Sequence, residues 1–156
     1  QWGMWIVVVA VSWMIAFFLF GIKSSFIVSV LGALVITLFA PDTWLGASMK
    51  WVATLPMWLG LHLWLVFRQK DLAYYENIKN IIVPVVIGIL VRGILVIPLN
   101  YYYAIPIWTG MSPEKAIAAI PWYIIFGFNA VQAVLDVFLA WLIVFHFRLS
   151  RFSVWK

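Results

Sequence analysis

The chain has 156 residues, 67% of them hydrophobic, with a mean hydropathy of +1.09 and only 10 basic and 5 acidic side chains. One small water-soluble globule has no room to hide so much apolar surface, so composition predicts an all-α integral membrane protein, a compact bundle of five to six transmembrane helices forming a single domain over residues 1–156. The net charge of +5 reads as loop charge that sets orientation in a bilayer and not as a nucleic-acid footprint, and the absence of cysteine excludes disulfides and thiolate metal sites.

Crossing about 30 Å of hydrocarbon takes about 20 helical residues at about 1.5 Å each, so the spans follow from charge-free runs. Residues 2–22 form the first and 24–40 the second, ended by the Pro41-Asp42 turn signal. A third, 44–67, carries Lys50 near its start and is followed by the polar stretch RQKDLAYYENIKN. The fourth, 81–103, contains Arg92, and the fifth, 119–147, contains GFNAVQAVLDVF. Between these two, AIPIWTGMSPEK has two prolines and a glycine and reads as a loop. No Arg-rich leader or small-residue cleavage pattern precedes the first run, so that run is not expected to be a removable signal peptide.

Basic residues fix the orientation. Arg68, Lys70 and Lys79 follow the third span and Arg148, Arg151 and Lys156 form the tail, whereas residues 104–118 hold Lys115 beside Glu114. The third-span loop and the carboxyl terminus are therefore expected in the cytoplasm of a multi-pass cell-membrane protein, with residues 104–118 outside and, by parity, the amino terminus outside as well.

Depth then places the intramembrane polar groups. Asn129, Gln132 and Asp136 are spaced three and four apart and share one face of the fifth helix. An unpaired charge at mid-bilayer costs about 2.5 to 3.5 kcal/mol, which predicts an ion pair between Arg92 and Asp136. Lys50 in the outer part of the third span, Asn100 and Tyr101 at the outer end of the fourth, and Trp108 in the loop above extend the set toward an outward-facing pocket. Each has a plainer explanation: carboxamides glue helices together in bilayers, a buried pair satisfies its own charges, and aromatic residues belt the interface. His62 and His146 are expected to be a helix-contact and an interfacial residue.

RGILVIPLNYYYAIPIWTG, followed after a short amphipathic loop by IPWYIIFGFNAVQAVLDVFLAWLIVF, resembles the last two helices of the substrate-capture (S) components of energy-coupling-factor (ECF) vitamin transporters, most closely the riboflavin-type members. LGASMKWVATLPMWLGLHLWLVFRQK is similar to the helix before them, and the resemblance covers roughly residues 45–150. It implies a membrane subunit, not an enzyme, that captures riboflavin or a related flavin from outside. ATP-driven uptake would require a transmembrane coupling subunit and two cytoplasmic ATPases. By matching position, Asn100 corresponds to the penultimate-helix asparagine that contacts flavin, Asn129 to the asparagine of the Phe-Asn pair, and Gln132 to a polar residue that is often Lys in relatives. An isoalloxazine ring calls for amide donors and acceptors at its pyrimidine edge and apolar or aromatic walls for its faces, which agrees.

The chain departs from that family in having five spans instead of six, and in offering only Ser12 and Ala16 as a small-xxx-small match to the docking motif of the first helix. Two other readings compete: an assembly subunit without ligand, and a small membrane enzyme acting on lipids. The second class normally displays paired carboxylates, clustered histidines or a nucleophile with its base, which a lone Asp136 and two separated histidines do not supply.

Overall fold

The computed structural model describes residues 9–39 and 44–155. Among them are six helices: α1 (Val9–Phe20), α2 (Ile22–Phe39), α3 (Trp44–Arg68), α4 (Lys79–Thr109), α5 (Pro113–Ala119) and α6 (Trp122–His146). Two of these, α4 and α6, are long and apolar enough to cross a membrane; α1 and α2 are apolar but shorter. As helices, the segments expected from apolar runs coincide with these elements within a few residues at most described ends. Residues 1–8 of the first span and the Pro41-Asp42 turn lie outside the described residues.

The largest correction concerns residues 104–118. They were expected to be a loop, yet α4 runs through to Thr109, and α5 follows after only Gly110–Ser112. Pro106 lacks the N–H that an α-helix would use, and the preceding residues Asn100–Ala104 widen into a π-helical turn that closes with Ile105 N–H on Asn100 O. Gly110, at φ 71°, then ends α4 in the left-handed conformation, its N–H on Pro106 O. Pro113 opens α5 at a first-turn position where a missing donor costs nothing.

The helices form a closed ring: α1 on α2, α2 on α3, α3 on α4, α4 on α6, and α6 back on α1. Small residues set the closest approaches. Gly32 lies against the Trp13 indole where α2 folds back on α1, Gly60 and Gly88 meet the Pro84 and Pro56 carbonyl regions between α3 and α4, and Gly93 sits under the Phe126 ring between α4 and α6. Ala16 is buried within the bundle while Ser12 is exposed, so this pair makes no outward small-residue stripe.

Which residues face outward is the telling feature. Between Ile82 and Leu95 of α4 the exposed side chains are Ile82, Val83, Val86, Ile87, Leu90, Val91, Ile94 and Leu95, while the buried set there is Pro84, Gly88, Arg92 and Gly93. α2 repeats the pattern, exposing Phe26, Ile27, Leu31, Leu34, Val35 and Leu38 and burying Ser25 and Ser29. This inverts the arrangement of a water-soluble helix, where apolar residues turn inward.

One end of the bundle gathers the basic segments. The connection after α3 contains a 3-10 turn, Leu72–Glu76, capped by Asp71 accepting from Ala73 N–H. Tyr75 from this turn is fully buried: its hydroxyl donates to Leu61 O at 2.6 Å, and its carbonyl accepts from Trp141 Nε1 at 2.7 Å. Burial pushes its phenol well above the usual tyrosine range. The tail reaches the same end, where Trp155 Nε1 donates to Phe18 O and the Phe18 ring packs edge-on against both Tyr75 and Phe145. The segments bearing Arg68, Lys70, Arg148 and Arg151 therefore share one end of the bundle.

Candidate functional site

Two apolar clusters divide the interior. The larger runs through α1, α3, α4 and α6 toward the basic end, and the smaller joins Ala53, Val96, Tyr101, Ile105, Ala116, Ile120 and Ile125 beneath α5. Five polar side chains from three helices occupy the level where these clusters meet: Lys50, Arg92, Asn129, Gln132 and Asp136.

Helical spacing builds this layer. On α6, Gln132 and Asp136 are one turn apart, and Gln132 Nε2 donates to Asp136 Oδ1 at 3.0 Å. Asp136 Oδ2 accepts from Lys50 Nζ of α3 at 2.7 Å, an ion pair whose side chains are 13% and 2% exposed. Thr54, fully buried one turn beyond Lys50, returns its hydroxyl to Lys50 O. The guanidinium of Arg92, on α4, donates through Nε (3.1 Å) and Nη2 (2.9 Å) to Asn129 Oδ1, and Asn129 Nδ2 donates back to Ile125 O.

The expected Arg92 to Asp136 ion pair is therefore corrected. Both carboxylate oxygens of Asp136 are taken by donors that reach them directly, Lys50 from the facing helix and Gln132 from its own, and the Arg92 fork closes on Asn129 instead. Arg92 is 2% exposed, and its Nη1 is buried without a hydrogen-bond partner among the described residues. Both cations remain within electrostatic range of the single carboxylate.

The other expected site residues lie apart from this layer. Tyr101 is buried in the smaller apolar cluster, its hydroxyl donating to Ile120 O at 2.6 Å, so it ties α4 to the segment before α6. Asn100, half-buried, donates from Nδ2 to Val96 O one turn back. Trp108 is 47% exposed near the end of α4. Sequence reasoning did not pick out Ser29, Ser48 or Thr54. Ser29 Oγ accepts from Trp51 Nε1, and Ser48 Oγ lies 3.4 Å from the Tyr103 hydroxyl. Thr54 had a legible signal, since it stands four residues after Lys50 and so shares its helix face.

What the layer can do chemically is bind. It presents carboxamide and cationic groups to a low-dielectric interior, where each hydrogen bond is stronger than in water and each unmet one more costly. Comparison with protein-family models, curated proteins and solved structures returned no match to this chain.

Proposed function

We propose that this chain is an integral-membrane ligand-capture subunit of the ECF vitamin-transporter type, binding riboflavin or a related flavin from the outer face of the cell membrane. Uptake would need a coupling subunit and two cytoplasmic ATPases, and the chain itself would catalyse nothing. The observation that carries the reading is the inverted burial: Val, Ile and Leu cover the outside of α4 while Lys50, Arg92, Gln132 and Asp136 lie inside. Exposed apolar faces of this extent suit lipid, and intramembrane ionisable groups turned inward mark ligand or ion paths more often than inert packing. The basic segments gathered at one end support a cytoplasmic carboxyl terminus. The sequence resemblance supplies the flavin.

The test is an equilibrium titration of the purified protein in lipid nanodiscs with riboflavin, read by flavin fluorescence. Saturable one-to-one quenching is expected, and Asn129→Ala should weaken it by about 1 to 3 kcal/mol through loss of a buried hydrogen bond. Absence of any saturable binding by an intact helical bundle would favour the assembly-subunit reading. That reading has its own support, because Tyr101 and Asn129 already hydrogen-bond within the protein.

A further inference from the structure

We infer that the ligand of the polar layer carries an oxyanion, a carboxylate or phosphate group, which docks on Arg92 between α4 and α6. The inference rests on reading that layer as a ligand site, and two observations independent of each other lead to it. The first is charge. Lys50 and Arg92 are cationic and Asp136 alone is anionic, and no other Asp or Glu occurs in α3, α4 or α6. Among the described residues the layer thus holds one positive charge without a counter-ion, in surroundings where an uncompensated charge is expensive.

The second is geometry. An arginine has five N–H donors in a planar fork. In Arg92 the Nε side of the fork is closed by the Asn129 oxygen, which receives both Nε and Nη2. That leaves the far end, made of Nη1 and the second hydrogen of Nη2, with Nη1 buried and, among the described residues, unpartnered. This end offers two parallel N–H bonds at the spacing of two oxygens on one carboxylate or phosphate. Asn129 is thereby a positioning residue: it accepts from the guanidinium and, held by Ile125 O, fixes the plane in which the free end is presented. A neutral carbonyl could accept from this end, as Asn129 does from the other, but would leave the charge uncompensated; an oxyanion accepts the N–H bonds and neutralises the charge.

The experiment uses two matched ligand pairs that differ only in charge-bearing group: riboflavin with flavin mononucleotide, and nicotinamide with nicotinate. Each is titrated by calorimetry into the full chain in phosphatidylcholine nanodiscs, and the measurement is repeated with Arg92→Gln and Arg92→Lys. At least one anionic member should bind tenfold or more tighter than its neutral partner. Arg92→Gln should abolish that preference, and Arg92→Lys, which keeps the charge but loses the fork, should retain part of it. The ligand comparison on the unaltered protein stands even if Arg92→Gln does not fold, which circular dichroism and size exclusion would reveal.

Riboflavin binding equal to or tighter than flavin mononucleotide, with no preference for nicotinate, would overturn the oxyanion inference and leave the flavin-capture reading intact. Arg92-dependent binding of nicotinate without either flavin would do the reverse. No binding by any of the four would remove both. Flavin mononucleotide bound without nicotinate would identify phosphate as the group, and nicotinate alone a carboxylate.

Discussion

At the scale of single residues, the polar layer behaves as one electrostatic unit, and its members are unequal. Replacing Lys50 by Met leaves Arg92 and Asp136 as a neutral set, with Gln132 still donating to the carboxylate. Replacing Asp136 by Asn leaves two buried cations and no anion. Asp136→Asn should therefore destabilise the protein by about 3 to 5 kcal/mol, the cost of an orphaned buried charge, and Lys50→Met by clearly less. Thermal unfolding of both variants in the same lipid checks the order; equal losses would mean that Arg92 does not share the carboxylate's field. Tyr75 gives a pH test at the opposite end. Its phenol is raised by burial, so the folded state resists ionising it while the unfolded chain loses the proton near pH 10. The stability it contributes is present below that pH and declines as pH rises beyond it. An alkaline stability profile should flatten in Tyr75→Phe, which also loses the bond to Leu61 O and about 1 to 3 kcal/mol at neutral pH.

At the scale of elements, close helix approach depends on missing side chains. A Cβ on Gly93 would stand 2.6 Å from two ring carbons of Phe126, so Gly93→Ala must displace the ring, α4 or α6. Overpacking of this kind costs about 1 to 3 kcal/mol, and adding Phe126→Ala should recover part of it. Denaturation of the single and double variants measures the coupling, and additive losses would deny the contact. The elements also show what a sequence conveys unaided. Long apolar runs, each interrupted by one charge (Lys50 or Asp136), located the helices α3 and α6. Residues 104–118 misled because Pro106 and Gly110 are ordinary loop signals, whereas α4 passes through the first of them just after the π-helical turn at Asn100–Ala104. The stripe of Asn129, Gln132 and Asp136 was readable from periodicity within one helix. Its partners were not: whether Lys50 or Arg92 reaches Asp136 depends on how α3 and α4 rotate against α6, which no local pattern conveys, although Gly60, Gly88 and Gly93 lie at the closest approaches of these helices.

At the scale of the whole molecule, the bundle is polar in the middle and apolar around the rim, with its basic segments at one end. Each of the three features has a separate physical cause, and a bilayer accounts for all of them together. On the proposed reading, lipid would take the Val, Ile and Leu faces, its low dielectric would make paired and unpaired charge consequential, and a cytoplasmic leaflet would favour Arg68, Lys70, Arg148 and Arg151. Because the sequence has no cysteine, a single introduced one reports from its own position alone. Ile94, 73% exposed on the outer face of α4 two residues beyond Arg92, is the most informative place for a spin label. Collision accessibility of Ile94→Cys, labelled in vesicles, should be high to oxygen and low to a water-soluble nickel chelate, because lipid surrounds that face. High accessibility to nickel would put the face in water and contradict the membrane-embedded bundle on which the ligand site depends.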